Sequence, residues 1–105
     1  MVHEQTIAKL RECIPAFVML GDENRLKIMS LLYQHGELSV NELTEHLHLS
    51  RPAVSHHLKL LLDAYLVTVR QEGTARYYSA NFDCAVRLLD ELLVLMKMQQ
   101  LQTPK

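Results

Sequence analysis

The sequence has few cysteines and few glycines. Its 105 residues include two cysteines, Cys13 and Cys84, and three glycines. Two cysteines so far apart in sequence make neither a disulfide framework nor a zinc-finger pattern. Three scattered glycines form no Gly-rich loop of the kind that cradles a phosphate. The composition therefore argues against a disulfide-rich secreted protein and against a nucleotide-binding enzyme.

Long hydrophobic runs are also missing. No uncharged stretch approaches the roughly 20 residues that a membrane-spanning helix needs. His3, Glu4 and Lys9 interrupt any apolar run of a signal peptide. We therefore expect one domain, residues 1–105, in a reduced, cytoplasmic protein with no membrane partner.

Catalytic constellations are absent from the sequence as well. No nucleophile stands at a recognisable spacing from a base, and the carboxylates Asp90 and Glu91 are neighbours on a predicted helix, where adjacent side chains diverge. We expect neither enzymatic activity nor a cofactor.

Charge of one sign does not dominate the chain, but it is unevenly distributed. The net charge is −1, with 11 Lys and Arg against 12 Asp and Glu. Residues 1–49 are acidic, whereas residues 50–79 contain more basic than acidic side chains. A local basic patch of this kind can meet the phosphates of a nucleic acid.

Apolar residues at helical spacing predict helices through most of the chain. Residues 4–20 have this pattern, and Pro15 is expected to divide or kink it. Asp22 is a predicted N-cap of a second helix, which Gly36 ends. Ser39 and Glu42 have the spacing of a capping box for a short helix that ends near residue 48.

The stretch LSRPAVSHHLKLL, residues 49–61, predicts a further helix. Ser50 is its expected N-cap. Pro52 is tolerated in the first turn, because the N–H that proline lacks would have no partner inside the helix there. Val54, Leu58 and Leu61 form one apolar stripe at i, i+4 and i+7. A short helix, a turn and a second helix in residues 39–64 make a helix-turn-helix layout.

Two β-rich stretches and a last helix follow. Residues 66–71 and 75–79 are rich in β-branched and aromatic residues, and Gly73 between them can take a positive φ, which predicts a hairpin. A final helix is expected from Asn81 or Phe82 to about Gln100. The predicted fold is mainly α with a small β-hairpin, a winged helix-turn-helix with additional helices at both ends.

The adjacent histidines His56 and His57 are a poor chelating pair, because neighbours on a helix point about 100° apart. Opposite the apolar stripe, His56 and Lys59 share a polar and cationic face with Ser55 at its side. Such a face suits the major groove of DNA, although any solvated helix shows a polar face. The hairpin next to it, with Arg70 and Arg76, favours the DNA reading.

The run from residue 20 to residue 81 resembles the ArsR/SmtB family of bacterial and archaeal repressors. The matching motifs are LGDENRLKI, LSRPAVSHHLKLL and the hairpin RQEGTARYYS. The resemblance implies a homodimer that binds an imperfect palindromic operator and is released by an inducer. Residues 1–20 and 82–101 would be the dimerisation helices, and residues 66–79 would be the wing. It implies DNA contacts from Ser50, Arg51, Ala53, Ser55, His56 and Lys59 in the major groove, and from Arg70, Thr74 and Arg76 in the wing.

The chain departs from the family pattern in two places. Tyr65 stands in DAYLV where the family commonly has glycine, and a left-handed tyrosine at the helix end would cost about 1 kcal/mol or more. We therefore expect either strain at this residue or a changed helix end. In ELSVNEL, Ser39 and Asn41 replace the two cysteines of the family's soft-metal motif, ELCVCDL. The last helix likewise lacks the later His or Glu ligands of the zinc- and nickel-responsive members, so we predict no typical metal site.

Two questions stay open at the level of sequence. Cys13 and Cys84 are either ordinary buried cysteines or a switch that responds to a thiol oxidant or persulfide. The competing function is a winged helix that contacts proteins and has no operator of its own, which the near-neutral charge permits. Polar and basic residues on the predicted DNA side argue against that function, because protein-binding surfaces are enriched in aromatic residues.

Overall fold

A computed structural model describes residues 2–102; residue 1 and residues 103–105 of the predicted single domain lie outside the described residues. Five helices and three short strands confirm the predicted fold class. The elements are α1 (Val2–Leu20), α2 (Glu23–His35), β1 (Leu38–Ser39), α3 (Val40–His46), α4 (Arg51–Asp63), β2 (Val67–Glu72), β3 (Ala75–Ala80) and α5 (Asp83–Gln102).

The predicted helix caps are present. The Asp22 carboxylate accepts from the Arg25 N–H at 3.0 Å, and the Ser50 hydroxyl accepts from the Ala53 N–H at 3.3 Å. Ser39 forms the complete capping box of α3. These bonds satisfy N–H groups that have no partner inside a helix.

The first helix is not divided at Pro15, and the third helix ends slightly before residue 48. Helix α1 continues through Pro15 and is not divided. A proline inside a helix costs about 3 kcal/mol, and we attribute the continuity to the packing of α1 along α5. Helix α3 ends at His46, two residues early, because Leu47 takes an extended conformation, with φ −119° and ψ 156°.

The sheet contains a strand that the sequence pattern did not reveal. The strand order is β1-β3-β2, and both pairs are antiparallel. In β1, Leu38 pairs with Tyr78 and Ser39 with Tyr77. Two residues are too few for an alternating pattern, so only the pairing partner identifies this strand. The hairpin turns at Gly73, whose φ of 62° confirms the expected positive value.

One apolar core joins α2, α3, α4 and the sheet. Its fully buried side chains include Ile28, Leu32, Leu43, Val54, Leu58, Leu61, Leu66 and Val67. Helices α1 and α5 extend beyond this core, and the molecule measures 56 × 25 × 20 Å. Its radius of gyration is 17.0 Å, whereas a compact chain of this length has about 13 Å.

Helix α4 ends in a left-handed residue other than glycine. Tyr65 has φ 59°. The Leu66 N–H donates to the Leu61 carbonyl at 2.9 Å, and the Tyr65 N–H donates to the Leu62 carbonyl at 3.1 Å. This is the bonding pattern of a Schellman motif, in which Tyr65 occupies the position that favours glycine. Of the two expected outcomes, strain or a changed helix end, the structure shows the strained left-handed end.

Replacing Tyr65 with glycine should stabilise the protein. Relief of the left-handed strain, about 1–2 kcal/mol, exceeds the entropic cost of glycine, about 0.5–1 kcal/mol. The ring is 70% exposed, so its loss removes little packing. We expect the free energy of unfolding to rise by about 0.5–1 kcal/mol in urea denaturation at one fixed protein concentration. Tyr65→Ala, which keeps the backbone strain, is the control. If Tyr65→Gly were less stable than the unaltered protein, the packing of the tyrosine ring would contribute more free energy than the backbone strain costs.

Candidate nucleic-acid interface

The buried stripe of α4 determines which of its side chains face outward. Val54, Leu58 and Leu61 are all 0% exposed and lie in the core. The apolar stripe therefore seats α4 on α2 and the sheet. Ser55, His56 and Lys59 are exposed, as the sequence predicts for the outer face.

A groove of about 920 Å³ lies between α4 and the hairpin. Its walls come from the start of α3, the outer face of α4 and the strand β3 with the turn before it. Five of the nine predicted DNA-contact residues line this groove: Arg51, Ser55, Lys59, Thr74 and Arg76. Arg51 and Arg76, which are 25 positions apart in sequence, thus share one concave surface.

The other four predicted contacts lie outside the groove lining. Ser50 holds the first turn of α4, and Ala53 is half-buried. His56 is exposed on the outer side of α4. Arg70 lies on β2 and belongs to a separate cluster of charged side chains.

Three cations and one carboxylate line the groove. Arg51, Lys59 and Arg76 are exposed, and Asp63 lies with them near the end of α4. The Arg51 Nε donates to the Asn41 Oδ1 at 2.8 Å. This bond ties the first turn of α4 to α3 and restricts the Arg51 side chain at the mouth of the groove.

Acidic side chains hold Arg70. Its Nη2 donates to the Glu37 Oε1 at 2.8 Å, its Nε donates to the Glu37 Oε2 at 3.1 Å, and its Nη1 pairs with Glu72. The guanidinium carbon also lies 4.9 Å from the centre of the Tyr77 ring. Hydrogen bonds to Glu37 and Glu72 raise the pKa of Arg70, and the bond from Arg70 lowers the pKa of Glu37. A phosphate that binds Arg70 must therefore compete with two carboxylates.

One functional candidate was missed by the sequence reasoning. Arg25 of α2 donates from Nε to the Met19 carbonyl at 2.8 Å, and its Nη1 lies 3.3 Å from the His57 Nδ1. It therefore links the end of α1 to the half-buried His57 of α4, which does not line the groove. Arg25 stands in the LGDENRLKI motif, but its partner 32 residues away was not visible from the sequence.

The two cysteines lie on the helices outside the core, and both are free thiols. Cys13 is 2% exposed, and Cys84 is half-buried. Burial raises the pKa of the Cys13 thiol, with smaller contributions from the charges of nearby groups, Cys84 among them. Cys13 therefore carries little reactive thiolate.

Ser39 and Asn41, which stand where the family's soft-metal motif has cysteines, form hydrogen bonds within α3 and to α4. The Ser39 hydroxyl accepts from the Glu42 N–H at 3.1 Å, and Asn41 accepts from Arg51. Within residues 2–102, no group of three or more His, Cys, Asp or Glu side chains is arranged to hold a metal ion. In the same part of the chain, no helix combines the length and apolar character needed to cross a bilayer.

Comparison with known proteins agrees with this geometry. The model of the arsR family of bacterial regulatory proteins matches residues 22–69. The chain is 42% identical over 84 residues to the arsenical resistance operon repressor of Bacillus subtilis, and the match covers 80% of each protein.

Two solved structures extend the likeness to the whole fold. The transcriptional regulator HlyU of Vibrio vulnificus is 28% identical with a TM-score of 0.70, covering 93% of this chain and 98% of that one. NolR of Sinorhizobium fredii is 26% identical with a TM-score of 0.69, covering 84% of this chain and 87% of that one. The chain therefore belongs to the ArsR family, and it is a winged helix-turn-helix DNA-binding regulator of transcription.

Proposed function

We propose that this chain is a homodimeric repressor that binds an imperfect palindromic operator in the cytoplasm and is released by an inducer. The groove between α4 and the hairpin carries the proposal, since Arg51, Lys59 and Arg76 meet there beside the hydroxyls of Ser55 and Thr74. Cations neutralise phosphates, and hydroxyls bond to phosphates or to base edges. A protein-binding surface would instead favour exposed aromatic and apolar side chains.

Each proposed contact follows from its place on the two elements. Ser55, His56 and Lys59 face outward from α4 and are assigned to the major groove of DNA. Ser50, Arg51 and Ala53 form the amino-terminal turn of α4, where the helix dipole favours a phosphate. Thr74 and Arg76 of the hairpin are assigned to the flanking backbone or minor groove. Arg70 joins them only when it leaves Glu37 and Glu72.

The proposed dimer interface is the apolar surface of α1 and α5. Lys9 of α1 pairs with Glu91 of α5 and joins the two helices within one chain. Large apolar side chains on both helices remain exposed: Ile14, Phe17, Val18, Val86, Leu93, Val94 and Met96 are each about half exposed. Exposed apolar patches of this kind are typical of interaction sites. A second copy would cover them symmetrically and set two α4 helices about one DNA turn apart.

The inducer proposed here is not one of the soft metals that some family members bind. The residues at those positions lack thiolates, and their side-chain oxygens already accept hydrogen bonds. A thiol oxidant or persulfide acting on Cys13 and Cys84 is the alternative inducer, supported by their place on facing helices. The burial and raised pKa of Cys13 favour a structural role for this residue instead.

Reversing the charge of Lys59 and Arg76 should abolish specific operator binding. The double variant Lys59→Glu/Arg76→Glu replaces two attractions with two repulsions at each half-site. We expect loss of specific binding to DNA upstream of the protein's own gene in fluorescence anisotropy, with far-UV circular dichroism unchanged. The unaltered protein should bind with two chains per palindrome, and its affinity should fall as salt rises, because phosphate contacts release counterions.

The control for that experiment is Lys27→Glu. Lys27 is exposed on α2 and does not line the groove. It should keep most of the operator affinity. Operator binding that survives in Lys59→Glu/Arg76→Glu would refute the groove assignment. No specific binding by the unaltered protein to any operator fragment would favour the competing protein-contact module.

Releasing Arg70 from Glu37 should strengthen DNA binding. In Glu37→Gln, Arg70 loses its bidentate carboxylate partner and becomes available to phosphate. We expect operator affinity to rise by about two- to fivefold, which is below 1 kcal/mol. Glu4→Gln makes the same change in net charge on the exposed start of α1 and should leave the affinity unchanged. An equal gain in both variants would mean that net charge alone is responsible.

Oxidation distinguishes the two roles of the cysteines. Because Cys13 is 2% exposed and its thiol pKa is raised, we expect operator affinity to be the same before and after treatment with a mild thiol oxidant or a persulfide donor. Peptide mass spectrometry should find Cys84 modified before Cys13. If oxidation releases the unaltered protein from the operator, and the Cys13→Ser variant still binds the operator after the same treatment, the thiol switch is correct and the structural role is wrong.

A further inference from the structure

Two histidines from different helices meet at a surface that the DNA-binding role does not use. His35 is the last residue of α2, and His46 is the last residue of α3. Their ring centroids are 5.2 Å apart, and the ring planes are inclined by 34°. Both side chains are exposed, so neither imidazole is needed to fill the core. Neither residue lines the groove between α4 and the hairpin.

We propose that His35 and His46 form a surface site for a single divalent transition-metal ion, of which Zn²⁺ is the best fit. Imidazole nitrogen is a preferred ligand of zinc. A tetrahedral ion with Zn–N distances of about 2.0–2.1 Å holds the centroids of two bound imidazoles about 5.2 Å apart. The observed spacing matches that value. The adjacent pair on α4, His56 and His57, has a wider centroid spacing of 6.2 Å.

The electrostatic surroundings of the pair favour a cation. The carboxyl-terminal end of a helix carries partial negative charge, and the ends of α2 and α3 both lie here. Glu42 of α3 adds a carboxylate to these surroundings. Hydrogen bonds from Ser39 chiefly lower the pKa of Glu42, and interactions with His35 and His46 lower it further. No third side chain within residues 2–102 completes a protein ligand set at this pair. Water therefore fills the remaining positions, and the site is open and of moderate affinity.

Metal binding would join the ends of α2 and α3. Helix α3 is the first helix of the helix-turn-helix, and it is only seven residues long. A ligand that binds only the folded arrangement stabilises it, and the stabilisation grows with the logarithm of the ligand concentration above Kd. The site is distinct from the position of the family's thiolate motif at the start of α3, where Ser39 and Asn41 stand. It does not depend on the proposed repressor function.

The test is isothermal titration of the full chain with Zn²⁺ at pH 7.5, where imidazoles are largely neutral. All proteins carry His3→Gln and Cys84→Ser, so that neither an amino-terminal histidine nor an accessible thiol binds zinc. We expect one ion per chain. His35→Gln and His46→Gln should each weaken binding by about tenfold or more, since the loss of an outer-shell partner alone costs about 10- to 100-fold. His48→Gln removes an exposed histidine outside the pair and should leave the zinc affinity unchanged.

A second measurement identifies the ligands directly. Long-range ¹H–¹⁵N correlation spectra should show Zn²⁺ shifting the imidazole nitrogens of His35 and His46 and not those of His48, His56 or His57. At a Zn²⁺ concentration 100 times Kd, the ratio of folded to unfolded protein should rise about 100-fold. Equal zinc affinity in His35→Gln, His46→Gln and the parent protein would overturn the proposal, as would shifts confined to other histidines.

Discussion

The burial of one face of α4 is the constraint on which the rest of the structure depends. Val54, Leu58 and Leu61 are withdrawn completely from water, and burying a side chain of this size stabilises the fold by about 1.5–3 kcal/mol. Because the three residues recur at helical spacing, their burial leaves α4 only one rotation about its axis. That rotation presents Ser55 and Lys59 to the outside, so the packing that stabilises the domain also orients the face that we propose binds DNA.

The hairpin is positioned by the same core. Leu66 and Val67 are buried where β2 begins, and Tyr78 of β3 is buried against them. Tyr65 makes the abrupt passage from α4 to β2 in a left-handed conformation that tyrosine disfavours. The strain persists because the bond from Leu66 to the Leu61 carbonyl and the burial of both side chains hold the turn. Core packing thus sets the position of the hairpin relative to α4.

Local rules predicted the helix caps and the outer face of α4 from sequence, because caps and stripes depend on residues a few positions apart. Ser39 with Glu42, and Ser50 before the apolar stripe, are examples. Features that depend on distant residues were missed. Strand β1 forms because Leu38 pairs with Tyr78 of β3. Pro15 is accommodated inside α1, which packs along α5. Arg25 was overlooked because its function lies in its contacts with Met19 and His57.

By itself, the sequence determined a winged helix-turn-helix of the ArsR family, the polar and basic face of α4 and the lack of cysteine ligands at the usual soft-metal position. Periodicity, capping and motif all act through residues near one another in the chain. Only the tertiary structure decided which basic residues share a surface. It placed Lys59 and Arg76 on one groove, bound Arg70 to Glu37, and brought His35 to His46. These relations depend on how separate elements pack, and a linear pattern does not contain the distance between two elements.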